Sequence, residues 1–121
     1  MLDLSTRMLL RLEGAALFLA ATSAYGWTGQ SWWLYAALLL APDVGMAAYL
    51  AGPRLGALGY NLLHITVVPL GVGLAGLAWQ APVAVAVPLI WLAHIGLDRA
   101  LGYGLKEFTG FNDTHLGRIG G

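Results

Sequence analysis

Hydrophobic positions in this chain fall into four nearly continuous blocks, separated by short polar or glycine-bearing breaks. The blocks run from Arg7 to Gly26, Ser31 to Leu50, Leu55 to Ala78, and Pro82 to about Gly102. Each holds roughly 20 residues, enough at 1.5 Å per residue to cross ~30 Å of hydrocarbon. The connectors Trp27-Thr28-Gly29-Gln30, Ala51-Gly52-Pro53-Arg54 and Trp79-Gln80-Ala81 are short, which makes neighbouring segments antiparallel. The pattern predicts an all-α, integral-membrane, up-down four-helix bundle in one transmembrane domain over residues 1–121. A short cytoplasmic tail from Tyr103 to Gly121 follows it, too short to fold alone and expected on the membrane surface or tucked against the bundle.

Composition supports this picture and removes others. Of the 121 residues, 59% are hydrophobic and 10% charged, whereas soluble domains carry about 25% charge. That excludes a soluble enzyme. The absence of cysteine excludes a disulfide scaffold and a thiolate nucleophile. Six basic residues balance six acidic ones, so no field attracts nucleic acid. The expected partner is the lipid bilayer, with a homo-oligomer as a further option. Arg7, Arg11, Arg54, Arg99, Lys106 and Arg118 all fall on one side of a four-span arrangement, which puts both termini in the cytoplasm. Trp27, Trp32, Trp33 and Trp79 gather at the opposite, uncharged interface. Thr22-Ser23-Ala24 offers a rival reading of the first block as a cleaved leader, but Glu13 and the three following spans argue against it.

Prolines 42, 69 and 88 lie inside the apolar blocks and free the carbonyls of Leu38, Ile65 and Ala84. Membrane helices accept this where a neighbouring group takes up the freed carbonyl. The 17 glycines are expected to serve close helix packing.

Polar residues in hydrocarbon are costly and are functional candidates by default. Glu13, Asp43, Asn61, His64, His94 and Asp98 share one depth, roughly 6 to 14 Å inside the cytoplasmic boundary at 1.5 Å per residue. His94 and Asp98 are spaced i, i+4, and Asn61 and His64 i, i+3, so each pair occupies one helix face. All six are expected to converge in the bundle interior, with Tyr60 beside them. Two imidazoles and two or three carboxylates suit zinc, manganese or iron with an activated water. In that reading Asp43, His64, His94 and Asp98 hold the metal, Glu13 is the general base, and Arg99 or Lys106 meets an anionic head group. The reaction would be metal-assisted hydrolysis of a lipid or other membrane-borne substrate. Two other readings stand beside it. One is a structural network that fixes helix register, with Arg99 or Arg11 neutralising Asp43 or Glu13. The other is an oligomeric transporter or proton relay, although the outer half of the chain has no ionisable residue to continue a pathway. Tyr103, Asp113 and His115 complete the candidates: Asn112 or Asp113 is expected to cap a short turn, or else a folded-back tail brings His115 to the mouth of the site as a third imidazole or a lid.

The run Trp91-Leu92-Ala93-His94-Ile95-Gly96-Leu97-Asp98-Arg99-Ala100-Leu101-Gly102-Tyr103-Gly104-Leu105-Lys106 is distinctive, as is Asp113-Thr114-His115-Leu116-Gly117-Arg118-Ile119. With Arg11-Leu12-Glu13-Gly14, Ala41-Pro42-Asp43 and Tyr60-Asn61-Leu62-Leu63-His64, the chain resembles the small bacterial membrane family known as domain-of-unknown-function family 4260. The resemblance spans nearly the whole chain and implies a short multi-span membrane protein. His94, Asp98 and Gly102 are also similar to an element of bacterial inner-membrane metal-dependent hydrolases, whose histidine-rich N-terminal motif is absent here.

Overall fold

A computed structural model describes residues 4–106, 112, 114–117 and 119. The described residues form four helical rods. The first is α1, Leu4–Trp27. The second is α2, Trp32–Leu38, continued by a 3₁₀ segment, Ala41–Ala51. The third is α3, Pro53–His64, continued by α4, Val67–Ala78, and the fourth is α5, Pro82–Leu101. Three of these, Trp32–Ala51, Pro53–Ala78 and Pro82–Leu101, are long and apolar enough to cross a membrane. The fold is thus the expected four-helix bundle of a multi-pass membrane protein. α1 is also long, at 24 residues, but carries Arg7, Arg11 and Glu13 in its first half. Among the described residues the tail adds one isolated antiparallel bridge, Lys106 to Thr114.

Two rods depart from the unbroken spans the sequence suggests, and prolines are the cause. α2 stops at Leu38, whose carbonyl Pro42 cannot engage, and the chain resumes as a 3₁₀ helix of 11 residues. Such runs seldom exceed 3–4 residues. The tighter coil rises ~2.0 Å per residue, so α2 and the 3₁₀ segment together reach about 32 Å, a bilayer's hydrocarbon thickness. α3 stops at His64, and Ile65 turns extended (ψ 135°) four residues before Pro69. Pro88 is absorbed within α5 without a break.

Packing divides the helical segments into two groups, the third rod contributing α4 to one and α3 to the other. α5 is the central element, flanked by α1 on one side and α4 on the other, while α3 packs on the 3₁₀ segment. The α1–α5 seam is close: a side chain at Gly14 would strike Arg99 and the Ala100 backbone, and one at Gly96 would strike the Phe18 backbone. Small residues let these backbones touch, which supplies the dispersion contact that drives helix association where no water is expelled. α3 and the 3₁₀ segment, by contrast, meet the α5 backbone at few points. Side chains fill the space between. At the end away from the tail, Trp27, Trp33 and Trp79 are exposed at rod termini, in the manner of an interfacial aromatic belt.

Candidate metal centre

The gap between the two groups is bridged from both sides. Where α2 and α3 break, backbone carbonyls lose their helical partners, and an unsatisfied carbonyl in hydrocarbon costs several kcal/mol. α5 supplies the replacements. His94 Nδ1 reaches the Leu39 carbonyl at 2.6 Å, Trp91 Nε1 donates to the Leu63 carbonyl at 2.6 Å, and Arg99 Nη2 donates to the His64 carbonyl at 3.0 Å. His64 Nδ1 lies 2.7 Å from the Tyr60 carbonyl, and the Tyr60 ring stacks on the His64 ring at 3.7 Å. Both imidazoles are thereby locked in orientation.

These contacts also fix one proton on each ring. A carbonyl oxygen only accepts, so Nδ1 carries a hydrogen in both rings, and in a neutral ring Nε2 presents a lone pair. The two Nε2 atoms face each other at 3.1 Å. Asp43 Oδ1 lies 3.1 Å from each of them, and Asp98 Oδ2 lies 3.4 Å from His64 Nε2 and 3.3 Å from His94 Nε2. The four ligand atoms all lie within 4.8 Å of one another. Four acceptors thus converge on one point, a repulsive arrangement unless a proton or a cation sits among them. A tetrahedral ion with bonds of ~2.0–2.2 Å needs ligand atoms roughly 3.3–3.6 Å apart, 1.63 times the bond length. Five of the six separations, between 3.1 and 3.4 Å, are close to that requirement. Nδ1–H bonded to a backbone carbonyl is also the usual outer-shell arrangement of a metal-binding histidine.

The donors are contributed evenly. Asp43 comes from the 3₁₀ segment and His64 from the end of α3, while His94 and Asp98 come from one face of α5. Each group of rods therefore brings one imidazole and one carboxylate. The imidazoles form the floor, 0% and 2% exposed, whereas the Asp43 side chain is 36% exposed. Asp43 and Asp98 line a cleft of about 350 Å³ with Met46, Tyr60, Tyr103, Lys106 and Ile119. Tyr60 Oη donates to Asp98 Oδ2 at 3.3 Å, and Lys106 Nζ lies 4.8 Å from the centre of the Tyr60 ring. Lys106 is buried. That burial lowers the pKa of its ammonium, against the opposing pull of the Asp98 and Asp43 charges.

Other candidates stand apart from the four. Glu13 does not join the layer: α1 meets α5 through Gly14, and the neighbouring residue turns to the exposed face. Asn61 serves the tail, its amide donating to the Lys106 carbonyl at 2.8 Å and accepting from the Lys106 N–H at 2.6 Å. Among the described residues no ion pair joins Arg99 or Arg11 to Asp43 or Glu13. Arg99 binds the His64 and Tyr103 carbonyls and Arg11 the Ala100 carbonyl. Tyr103 closes α5, its N–H bonded to the Asp98 carbonyl at 2.8 Å. The tail tucks back on the bundle, with Thr114 and Leu116 buried. His115 is not brought among the four. Its Nδ1 accepts from the Leu105 N–H at 2.8 Å, the reverse of the role Nδ1 plays in His64 and His94. Asp113 lies outside the described residues. Sequence reasoning missed Trp91 as a carbonyl partner; its position three residues before His94, on the same helix face, was the available signal.

Residues 7–119 match the family model described as Domain of unknown function (DUF4260), and the chain belongs to that family. No curated protein and no solved structure matches it.

Proposed function

We propose that this DUF4260 member is a membrane-embedded, metal-dependent hydrolase whose centre of Asp43, His64, His94 and Asp98 opens to the cytoplasm of a bacterial inner membrane. The observation that carries the reading is the convergence of two imidazole lone pairs and two carboxylate oxygens at near-tetrahedral spacing. Such a nitrogen and oxygen set suits zinc, iron or manganese. A bound divalent ion would lower the pKa of a water and polarise the scissile group.

The chain's own residues then divide the work. His64, His94 and Asp98 hold the ion from buried or half-buried positions. Asp43, the most exposed of the four, takes the proton of the attacking water. The water oxygen forms a bond to acyl carbon or phosphorus, the bond to the leaving oxygen breaks, and Asp43 returns the proton to that leaving oxygen. Tyr60 orients Asp98 through its hydroxyl. Arg99 is a positioning residue that secures the end of α3. A second reading, a cation that only staples the two groups of rods, is favoured by one feature: four protein ligands complete a tetrahedron, as in structural sites.

Metal analysis of detergent-purified protein tests the proposal. About one equivalent of a divalent metal is expected, lost in His64→Ala and in His94→Ala. No metal in any preparation overturns both readings. Asp43→Asn separates them: for the hydrolase, turnover of a panel of long-chain acyl and phosphate esters falls at least roughly a hundredfold while metal is retained. Absence of turnover by the metal-loaded wild type across that panel leaves the staple.

A further inference from the structure

The tail-side end of α1 carries a cavity that none of the four donors lines. It holds about 360 Å³ between Arg7, Met8, Arg11, Leu12 and Ala15 of α1 and Ala100 of α5. Ala15 and Ala100 adjoin Gly14 and Arg99, where the two helices touch, so the cavity lies on the margin of that seam and not within it. Both arginines are held by protein contacts. Arg11 Nε donates to the Ala100 carbonyl at 2.9 Å. The Arg7 guanidinium rests against the folded-back tail, where a Cβ at Gly117 would meet its Nη2 at 2.8 Å. Among the described residues no carboxylate pairs with either arginine. Arg7 is half-buried, and its Nε finds no hydrogen-bond acceptor there. Taking a guanidinium out of water without a counter-charge is costly, and an anion in the cavity would offset that cost.

Depth and helix face point to what carries that anion. α5 is long and apolar enough to cross a membrane, and Ala100 stands roughly 27 Å along it from Pro82 at 1.5 Å per residue. A guanidinium bound to the Ala100 carbonyl therefore sits near the edge of a ~30 Å hydrocarbon core, where the headgroup region begins. Met8, Leu12 and Ala15 are spaced i, i+4 and i+7, one stripe of α1 that leads from this edge toward the membrane interior. Met8 and Leu12 stay exposed. We propose that the cavity binds an anionic phospholipid, its phosphate between Arg7 and Arg11 and an acyl chain along Met8, Leu12 and Ala15. Guanidinium forks match the geometry of phosphate oxygens, and basic pockets beside membrane helices suit acidic headgroups. Charge and apolar stripe line the same cavity, so head and chain meet one continuous wall. A free phosphate would use the arginines and gain nothing from the stripe. The site is independent of the metal centre.

Native mass spectrometry of the full-length protein in detergent tests this, with dioleoyl phosphatidylglycerol, dioleoyl phosphatidylcholine, glycerol phosphate and inorganic phosphate as probes. Phosphatidylglycerol should bind at least about tenfold more tightly than phosphatidylcholine, whose choline cation would face the second arginine. The two probes without chains should bind at least roughly a hundredfold more weakly than phosphatidylglycerol, since each buried methylene is worth roughly fourfold. Arg7→Gln and Arg11→Gln should each weaken phosphatidylglycerol about tenfold and leave phosphatidylcholine unchanged. Arg54→Gln removes a charge at the same end of the bundle, outside this cavity, and should change binding by about twofold at most. Ala15→Phe fills the apolar part with both charges kept and should remove the preference for the lipid over glycerol phosphate. Leu12→Trp repeats that experiment, should the first variant fold poorly. Equal losses in Arg7→Gln and Arg54→Gln would show attraction to surface charge in general and overturn the site, as would equal affinity for the two lipids. Inorganic phosphate that binds as tightly as phosphatidylglycerol, or lipid preference that survives both filled cavities, overturns the chain along the stripe.

Discussion

The two faces of α5 are packed on opposite principles. Toward α1 the contact is backbone on backbone, made possible by Gly14 and Gly96, and a single added Cβ would have nowhere to go. Toward α3 and the 3₁₀ segment the backbones stay apart, and His94, Trp91 and Arg99 cross the space to reach carbonyls left open by helix breaks. The first seam can only hold. The second has room for an ion, a cleft and a ligand, because polar side chains rather than main chains span it. Close packing and open polar space thus lie on different sides of one helix.

Removing the ion should break the second seam most severely. A chelator is expected to lower the thermal midpoint of the detergent-solubilised protein, by the equivalent of about 4 kcal/mol where free metal stands near a thousand times its dissociation constant. Differential scanning fluorimetry with and without metal reads this, and coincident curves would show that no ion ties the groups together. Next in size is the first seam. Gly96→Leu should cost about 3 kcal/mol through overpacking against α1 yet leave metal stoichiometry near one, so that lost metal in a folded variant would show the seams to be coupled. Trp91→Phe leaves the Leu63 carbonyl unsatisfied and should cost about 2 kcal/mol, again with metal retained. The smallest effect is expected at Glu13. Glu13→Gln should change stability by less than about 0.5 kcal/mol, leave metal bound and leave any turnover unaltered; a large loss of activity would return this residue to the chemistry.

Much of the fold was legible in the residue pattern, since a block of about 20 apolar residues has few alternatives to a membrane helix. The prolines named carbonyls that would lose their partners but not where a helix would end: α2 and α3 stop ahead of Pro42 and Pro69, whereas Pro88 is absorbed within α5. Depth along the sequence placed Glu13, Asp43, Asn61, His64, His94 and Asp98 in one layer, and of these the structure brings Asp43, His64, His94 and Asp98 together. Depth alone could not exclude Glu13, because it says how far along a rod a residue sits and nothing about rotation around it. His115, a candidate for the mouth of the site, was beyond any argument from depth or helix face. Its ring lies in the tail, and its tautomer depends on a Leu105 N–H that only the folded tail presents.

Amino-acid order by itself determined that the chain would be helical, apolar and crossed by a polar layer at one level. These follow from composition and spacing, which act locally along each rod. Which groups face one another was decided only by tertiary structure. The azimuth of each helix is fixed by its partners: glycines draw α1 onto α5, and freed carbonyls draw His94, Trp91 and Arg99 across to α3 and the 3₁₀ segment. A lone-pair pocket is a property of several helices at once, and no single segment carries it.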